Sequence, residues 1–262
     1  MKIPKLASKD IALWVLNCHK IPSEVLQEYW KLLSISEKER YNNFYLERDK
    51  HNFLVGRGVL RSALSKYINK LPTEIVFRHN SNGKPLLNET DDYYFSVSHS
   101  NNYVAVAIAR SREVGVDIEF LKYDLITLTG NLNIAKRFFA SIEYEDLVGI
   151  PIDKQNSHFC MLWTLKESYI KALGAGLTKP LCELVFKFEE DGTFSFFDTN
   201  KTCGLKNWDF FVFHLGISCC LAISYSRENY HSKLFYSIDN NNFNEIPLIN
   251  KVNSSSILST TD

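Results

Sequence analysis

Three apolar runs follow one another closely, at 93–98, 103–109 and 114–120. Their connections, around Asn101-Asn102 and Ser111-Arg112-Glu113, are short enough for hairpins, which commits this stretch to antiparallel sheet. In the third run, Val114, Val116, Ile118 and Phe120 alternate with Gly115, Asp117 and Glu119, the pattern of a half-buried strand. Side chains two apart share a face, so Asp117 and Glu119 lie side by side, about 7 Å apart. Gly115 falls on the same face and leaves room beside them. Two carboxylates at a gap suit a hard divalent cation. The same pattern also fits a solvated acidic face.

The rest of the chain supplies helices to cover such a sheet. Residues 48–68 show helical spacing, with Phe53, Leu54, Leu60, Leu64 and Tyr67 on one broad face. Arg57 and Arg61 are an i, i+4 pair on it, suited to surface solvation or to an anion. Ser36 with Glu39 reads as a capping box, and Ser141 as the cap of a helix with Glu143 in its first turn. A helix opening near Ser157 or His158 runs to a C-cap at Gly174. Strand-like runs follow at 184–188, 193–197, 209–214 and 219–224. Each half thus offers one long helix and then antiparallel strands, and VAVAIA at 104–109 has a counterpart in CCLAIS at 219–224. The expected fold is α+β, with two pseudo-symmetric halves and an active site in the cleft between them. The boundaries read as an N-terminal half at 1–120, a connector at 121–133, a C-terminal half at 134–228 and an Asn/Ser-rich tail at 229–262.

Charge narrows the partners. Lys plus Arg and Asp plus Glu both number 30, so there is no bulk attraction for nucleic acid or an anionic membrane. No apolar stretch approaches a transmembrane length. Six cysteines without a C-x-x-C pair read as reduced thiols of a cytoplasmic protein.

Two further features carry chemistry. Between Phe159 and Leu173 both faces are apolar, which buries the helix. Lys166 falls inside one apolar arc. Glu167 and Lys171 are i, i+4 neighbours, either an ordinary helix ion pair or part of a site. In Phe95-Ser96-Val97-Ser98-His99-Ser100, His99 is placed where a strand turns, and backbone N–H groups and hydroxyls there suit a phosphate.

Together these pieces resemble a Sfp-type 4′-phosphopantetheinyl transferase. They include Gly83-Lys84-Pro85, the Ser98-His99 run, Val114-Gly115-Val116-Asp117-Ile118-Glu119 and Arg137-Phe138-Phe139 with Glu143. Trp163-Thr164-Leu165-Lys166-Glu167-Ser168-Tyr169-Ile170-Lys171 and Gly174-Ala175-Gly176-Leu177 complete the set. The resemblance implies Mg²⁺-dependent transfer of phosphopantetheine from coenzyme A to a serine of an apo acyl or peptidyl carrier protein, releasing 3′,5′-ADP, by a monomer. By motif, Asp117, Glu119 and Glu167 match metal ligands. Lys84, Pro85, Ser98 and His99 match nucleotide contacts. Lys171 matches a phosphate-binding lysine, Lys166 the lysine beside the metal-binding glutamate, and Arg40 a basic contact to the coenzyme. Glu37 stands where some members carry a phosphate-binding lysine, with Lys38 beside it. Glu167 and Lys171 are the expected catalytic pair, Glu167 acting as base or only as ligand. A silent coenzyme A-binding protein and a metal-dependent phosphodiesterase are the alternatives.

Overall fold

The structure is a computed structural model describing residues 3–88, 90, 92–122, 124–189, 193–199, 208–215, 219–227, 232–238, 244–248 and 257–260. In chain order the elements begin β1 (Ile11–Asn17), α1 (Ser23–Leu32), α2 (Ile35–Asn42), α3 (Glu47–Ile68), β2 (Phe77–His79), β3 (Pro85–Leu87), β4 (Tyr93–Ser100), β5 (Tyr103–Arg110) and β6 (Val114–Phe120). Then come α4 (Leu125–Phe138), α5 (Ser141–Gly149), α6 (Ile152–Leu173), β7 (Leu184–Phe188), β8 (Phe194–Asp198), β9 (Trp208–Leu215) and β10 (Cys219–Ser226). The last three strands are β11 (Ser232–Ile238), β12 (Asn244–Leu248) and β13 (Ile257–Thr260). The chain divides into two compact units, 1–114 with 230–249 and 115–229 with 250–262.

In the first unit the sheet order is β12-β11-β1-β5-β4. β4 and β5 form the expected hairpin, with Ser100 opposite Tyr103. The second expected hairpin is absent: β6 joins the other unit's sheet beside β10. The reason is that β5 has only two edges, and β4 and β1 occupy both. Asp92 holds the turn after β5. It accepts from Arg110 Nε at 3.0 Å and from the Ser111 hydroxyl, and Ser111 takes a left-handed φ of 56°. One face of the sheet, with Ala12, Trp14, Leu16, Val104, Val106 and Ile108, packs with Val55, Val59, Leu60 and Ala63 of α3 in one core.

The second unit places α6 on a sheet ordered β13-β9-β10-β6. Leu162, Leu165, Tyr169 and Ile170 share its core with Phe186, Phe210, Val212 and Ala222. Gly174 is the C-cap at φ 66°, donating to Ile170 O, as expected. Helix α6 begins at Ile152, earlier than the sequence suggested, with Pro151 at the N-cap.

Three expectations change. The connector is mostly helix α4, whose start is fixed by Asp124: its carboxylate accepts from Thr127 N at 2.7 Å and Thr127 Oγ1 at 2.8 Å. Ala140, not Ser141, is the N-cap of α5. The Glu143 carboxylate reaches back to Ala140 N at 3.0 Å. The expected tail supplies β11, which runs parallel to β1 and is pinned by Lys233 N donating to the buried Asp10 carboxylate at 2.9 Å. Of that tail, 229–231, 239–243, 249–256 and 261–262 lie outside the described residues.

Candidate active site

Strand β6 lies against α6 at very short range. A Cβ at Gly115 would stand 1.9 Å from Ser168 O and 2.5 Å from Ala172 N. Gly115 therefore admits the helix backbone. It does not leave the ligand space expected from sequence.

This contact sets the polar groups along one seam. Asp117 is 4% exposed, and Lys171 Nζ donates to its Oδ1 at 2.5 Å. Lys171 thus reaches across to the strand. Burial pushes the Glu167 carboxyl above its ordinary range; the Asp117 charge adds to the rise and the Lys171 ammonium opposes it. These three groups are electrostatically one set. Glu119 is half-buried and lines a pocket of about 230 Å³ with Phe120, Lys122, Asn131, Phe159 and Trp163.

The metal expectation can be tested on these donors. Among the described residues, no group of three or more His, Cys, Asp or Glu side chains is assembled closely enough to hold a metal ion. The donor chemistry nevertheless fits Mg²⁺, because Asp117, Glu119 and Glu167 offer only carboxylate oxygens. Burial is the main cause of the rise at Glu167, and the Asp117 repulsion that adds to it is the kind a cation relieves.

Lys166 is corrected. Its side chain is fully buried, and the ammonium donates to Glu143 Oε2 at 2.7 Å, to Leu181 O at 3.0 Å and to Leu184 O. Those three acceptors take its three hydrogens, so it has none for a coenzyme. Glu143 in turn accepts from Phe186 N at 2.9 Å. The pair ties α5, α6 and β7 together.

In the first unit, Lys84 ends a tight turn. The Asn80 carboxamide accepts from Asn82 N and Lys84 N, and Gly83 takes φ 84°. Burial lowers the Lys84 amine to about 8, with Glu113 opposing. Pro85 is half-buried and pairs with His79 on β2. Ser98 is buried and His99 exposed, on successive positions of β4 and hence on opposite faces. His99 is laddered opposite Val104, so it sits within the strand and not at the turn. Arg40 is exposed on α2, its guanidinium 5.5 Å from the Phe53 ring, and Lys38 lies 5.5 Å from the Trp30 ring.

The arginine pair of α3 is not a solvated surface. Arg61 is 1% exposed and donates to Glu37 Oε2 at 2.8 Å and to Pro72 O at 2.6 Å. Arg57 packs on the Phe53 and Phe77 rings. Glu37 also closes a capping box with Ser34, displacing the expected Ser36–Glu39 box. A carboxylate at this position therefore anchors α2 to α3.

An α+β protein with a carboxylate–lysine seam between β6 and α6, and a half-buried lysine at a tight turn, is equipped for phosphate-bearing substrates. The family model for the 4′-phosphopantetheinyl transferase superfamily matches residues 113–230, and that for the N-terminal part of a 4′-phosphopantetheinyl transferase matches 21–111. The 4′-phosphopantetheinyl transferase HetI of Nostoc is 36% identical over 66% of this chain and 73% of its own length. The transferase Sfp of Bacillus subtilis is 32% identical over 72% of this chain and 82% of its own. The chain belongs to the 4′-phosphopantetheinyl transferase family.

Proposed function

We propose that the chain moves the 4′-phosphopantetheine group of coenzyme A to a serine hydroxyl of an apo carrier protein and releases 3′,5′-ADP. The carrier oxygen bonds to the β-phosphorus as the bond to the ADP leaving group breaks. The observation that carries this reading is the Lys171–Asp117–Glu167 set at the seam of β6 and α6, in a chain of this family. Asp117, Glu119 and Glu167 would hold Mg²⁺, which supplies Lewis-acid polarisation of the diphosphate. Lys171 meets the charge gathering on the leaving phosphate. Serine is a weak nucleophile and needs a base. Glu167, with its pKa raised by burial, lies closer to the working range of a base than an ordinary carboxylate. Lys84, Ser98, His99 and Arg40 take the nucleotide end, Lys84 as a desolvated cation that an anion would stabilise.

The carrier is assigned to α4. Leu121 and Leu128 are buried, but Leu125 and Ile126 are 74% and 87% exposed at its start. An exposed apolar pair of this kind suits a docking contact. Apo-carrier incubated with the chain, coenzyme A and Mg²⁺ should gain one phosphopantetheine by mass, and Glu167→Gln should lose the reaction with its fold retained by circular dichroism. Full turnover by Glu167→Gln would remove Glu167 from the mechanism.

A further inference from the structure

The carboxylate seam is occupied from within. Asp117 is almost wholly removed from water, and the Lys171 ammonium stands on its Oδ1 at 2.5 Å. The side chain of Lys171 is 31% exposed, against 5% for that of Asp117, so the lysine is the partner that meets solvent. Lys171 and Glu167 are one turn apart on α6, facing β6. An ammonium on the central carboxylate repels any divalent cation that approaches the same oxygens. Among the described residues no three such side chains are gathered as a metal group.

We propose that the Lys171–Asp117 ion pair is a latch, which keeps the carboxylate seam closed to divalent cations until the diphosphate of the coenzyme draws the Lys171 ammonium away. The inference rests on the metal and coenzyme assignments above. Its consequence is an order of assembly. The coenzyme and the cation bind with strong mutual dependence, and the cation alone binds poorly. Lys171 then serves twice, first as a stand-in for the cation on Asp117 and later as the counter-charge of the diphosphate. Only the side-chain torsions of Lys171 change, since Gly115 fixes the backbone of β6 against α6.

Mn²⁺ binding, read from the free Mn²⁺ signal by electron paramagnetic resonance, tests this without turnover. The full chain is titrated without carrier, with and without coenzyme A, as wild type, Lys171→Met and Lys171→Arg. The latch predicts that coenzyme A tightens Mn²⁺ on the wild type, and that Lys171→Met alone binds Mn²⁺ at least about tenfold more tightly than wild type alone, a cation–cation repulsion having been removed. Lys171→Arg keeps the charge and stays weak without coenzyme. Wild-type Mn²⁺ affinity in Lys171→Met, with both proteins responding to coenzyme A, would overturn the latch and leave the metal assignment standing. No Mn²⁺ binding to any form, even with coenzyme A, would overturn the metal assignment itself.

Discussion

Gly115→Ala tests the contact on which the site is built. The added Cβ would stand 1.9 Å from Ser168 O, against 3.4 Å for ordinary contact, a shortfall of 3.4 − 1.9 = 1.5 Å. The obstacle is backbone of a 22-residue helix, so no side chain can rotate away. Either β6 or α6 must move by most of that distance. Overpacking costs about 1–3 kcal/mol, and a backbone obstacle belongs at the upper end. With a urea slope of roughly 3 kcal/mol per molar, about 3 kcal/mol lowers the unfolding midpoint by about 1 M. Turnover should fall further than stability, because a displacement near 1 Å at the reacting groups costs about 100-fold. Gly130→Ala is the control. Nothing lies within 4 Å of its added Cβ, and it sits within α4, so it should stabilise by up to about 1 kcal/mol. Urea unfolding and the carrier mass-shift assay read both variants. A Gly115→Ala protein with the wild-type midpoint and wild-type turnover would refute the close-contact argument.

Three further outcomes are expected. Lys166→Met strands the buried Glu143 carboxylate and should cost about 3–5 kcal/mol of stability in urea unfolding, with the KM for coenzyme A of the folded fraction unchanged; a stable variant with a raised KM would return Lys166 to the coenzyme. The Lys84 amine, lowered to about 8, carries its charge below that pH and loses it above, so the KM for coenzyme A should climb as pH rises through 8, and Lys84→Arg should flatten the rise; identical profiles would free Lys84 of this role. If Leu125 and Ile126 dock the carrier, its KM should stay flat as NaCl rises from about 50 to 300 mM, which shortens screening from roughly 14 to 6 Å, and should climb in Leu125→Asp; a several-fold rise with salt in the wild type would point to charged contacts instead.

Much of this architecture is written locally. The long helices α3 and α6, the Gly174 cap and the β4–β5 hairpin follow from spacing and turn chemistry that neighbouring residues carry. What failed to read depends on partners distant in sequence. Ser34–Glu37 and Ser36–Glu39 both match a capping box, and Arg61, 24 residues from Glu37, breaks the tie. Lys166 was legible as a charge misplaced on an apolar arc, but its acceptors at Glu143, Leu181 and Leu184 lie on other elements. Gly115 is ambiguous in sequence, since a missing side chain can admit a ligand or a helix, and only the approach of Ser168 and Ala172 decides. The start of α4 was missed within the expected connector, although Asp124 is a residue type that caps helices. β11 was obscured by the Asn- and Ser-rich residues that follow it.

The central claim is the transfer itself, and the release of 3′,5′-ADP measures it most directly. The chain is incubated with coenzyme A and Mg²⁺, with and without an apo-carrier, and the nucleotide product is quantified beside the carrier mass. The account predicts one 3′,5′-ADP for each phosphopantetheine gained by the carrier, and none when the carrier is omitted or its acceptor serine is replaced by alanine. Release that is indifferent to the carrier would mark a hydrolase. Absence of release across carriers from fatty acid, polyketide and peptide synthesis, with coenzyme A still bound, would mark a silent binder; either result contradicts the account.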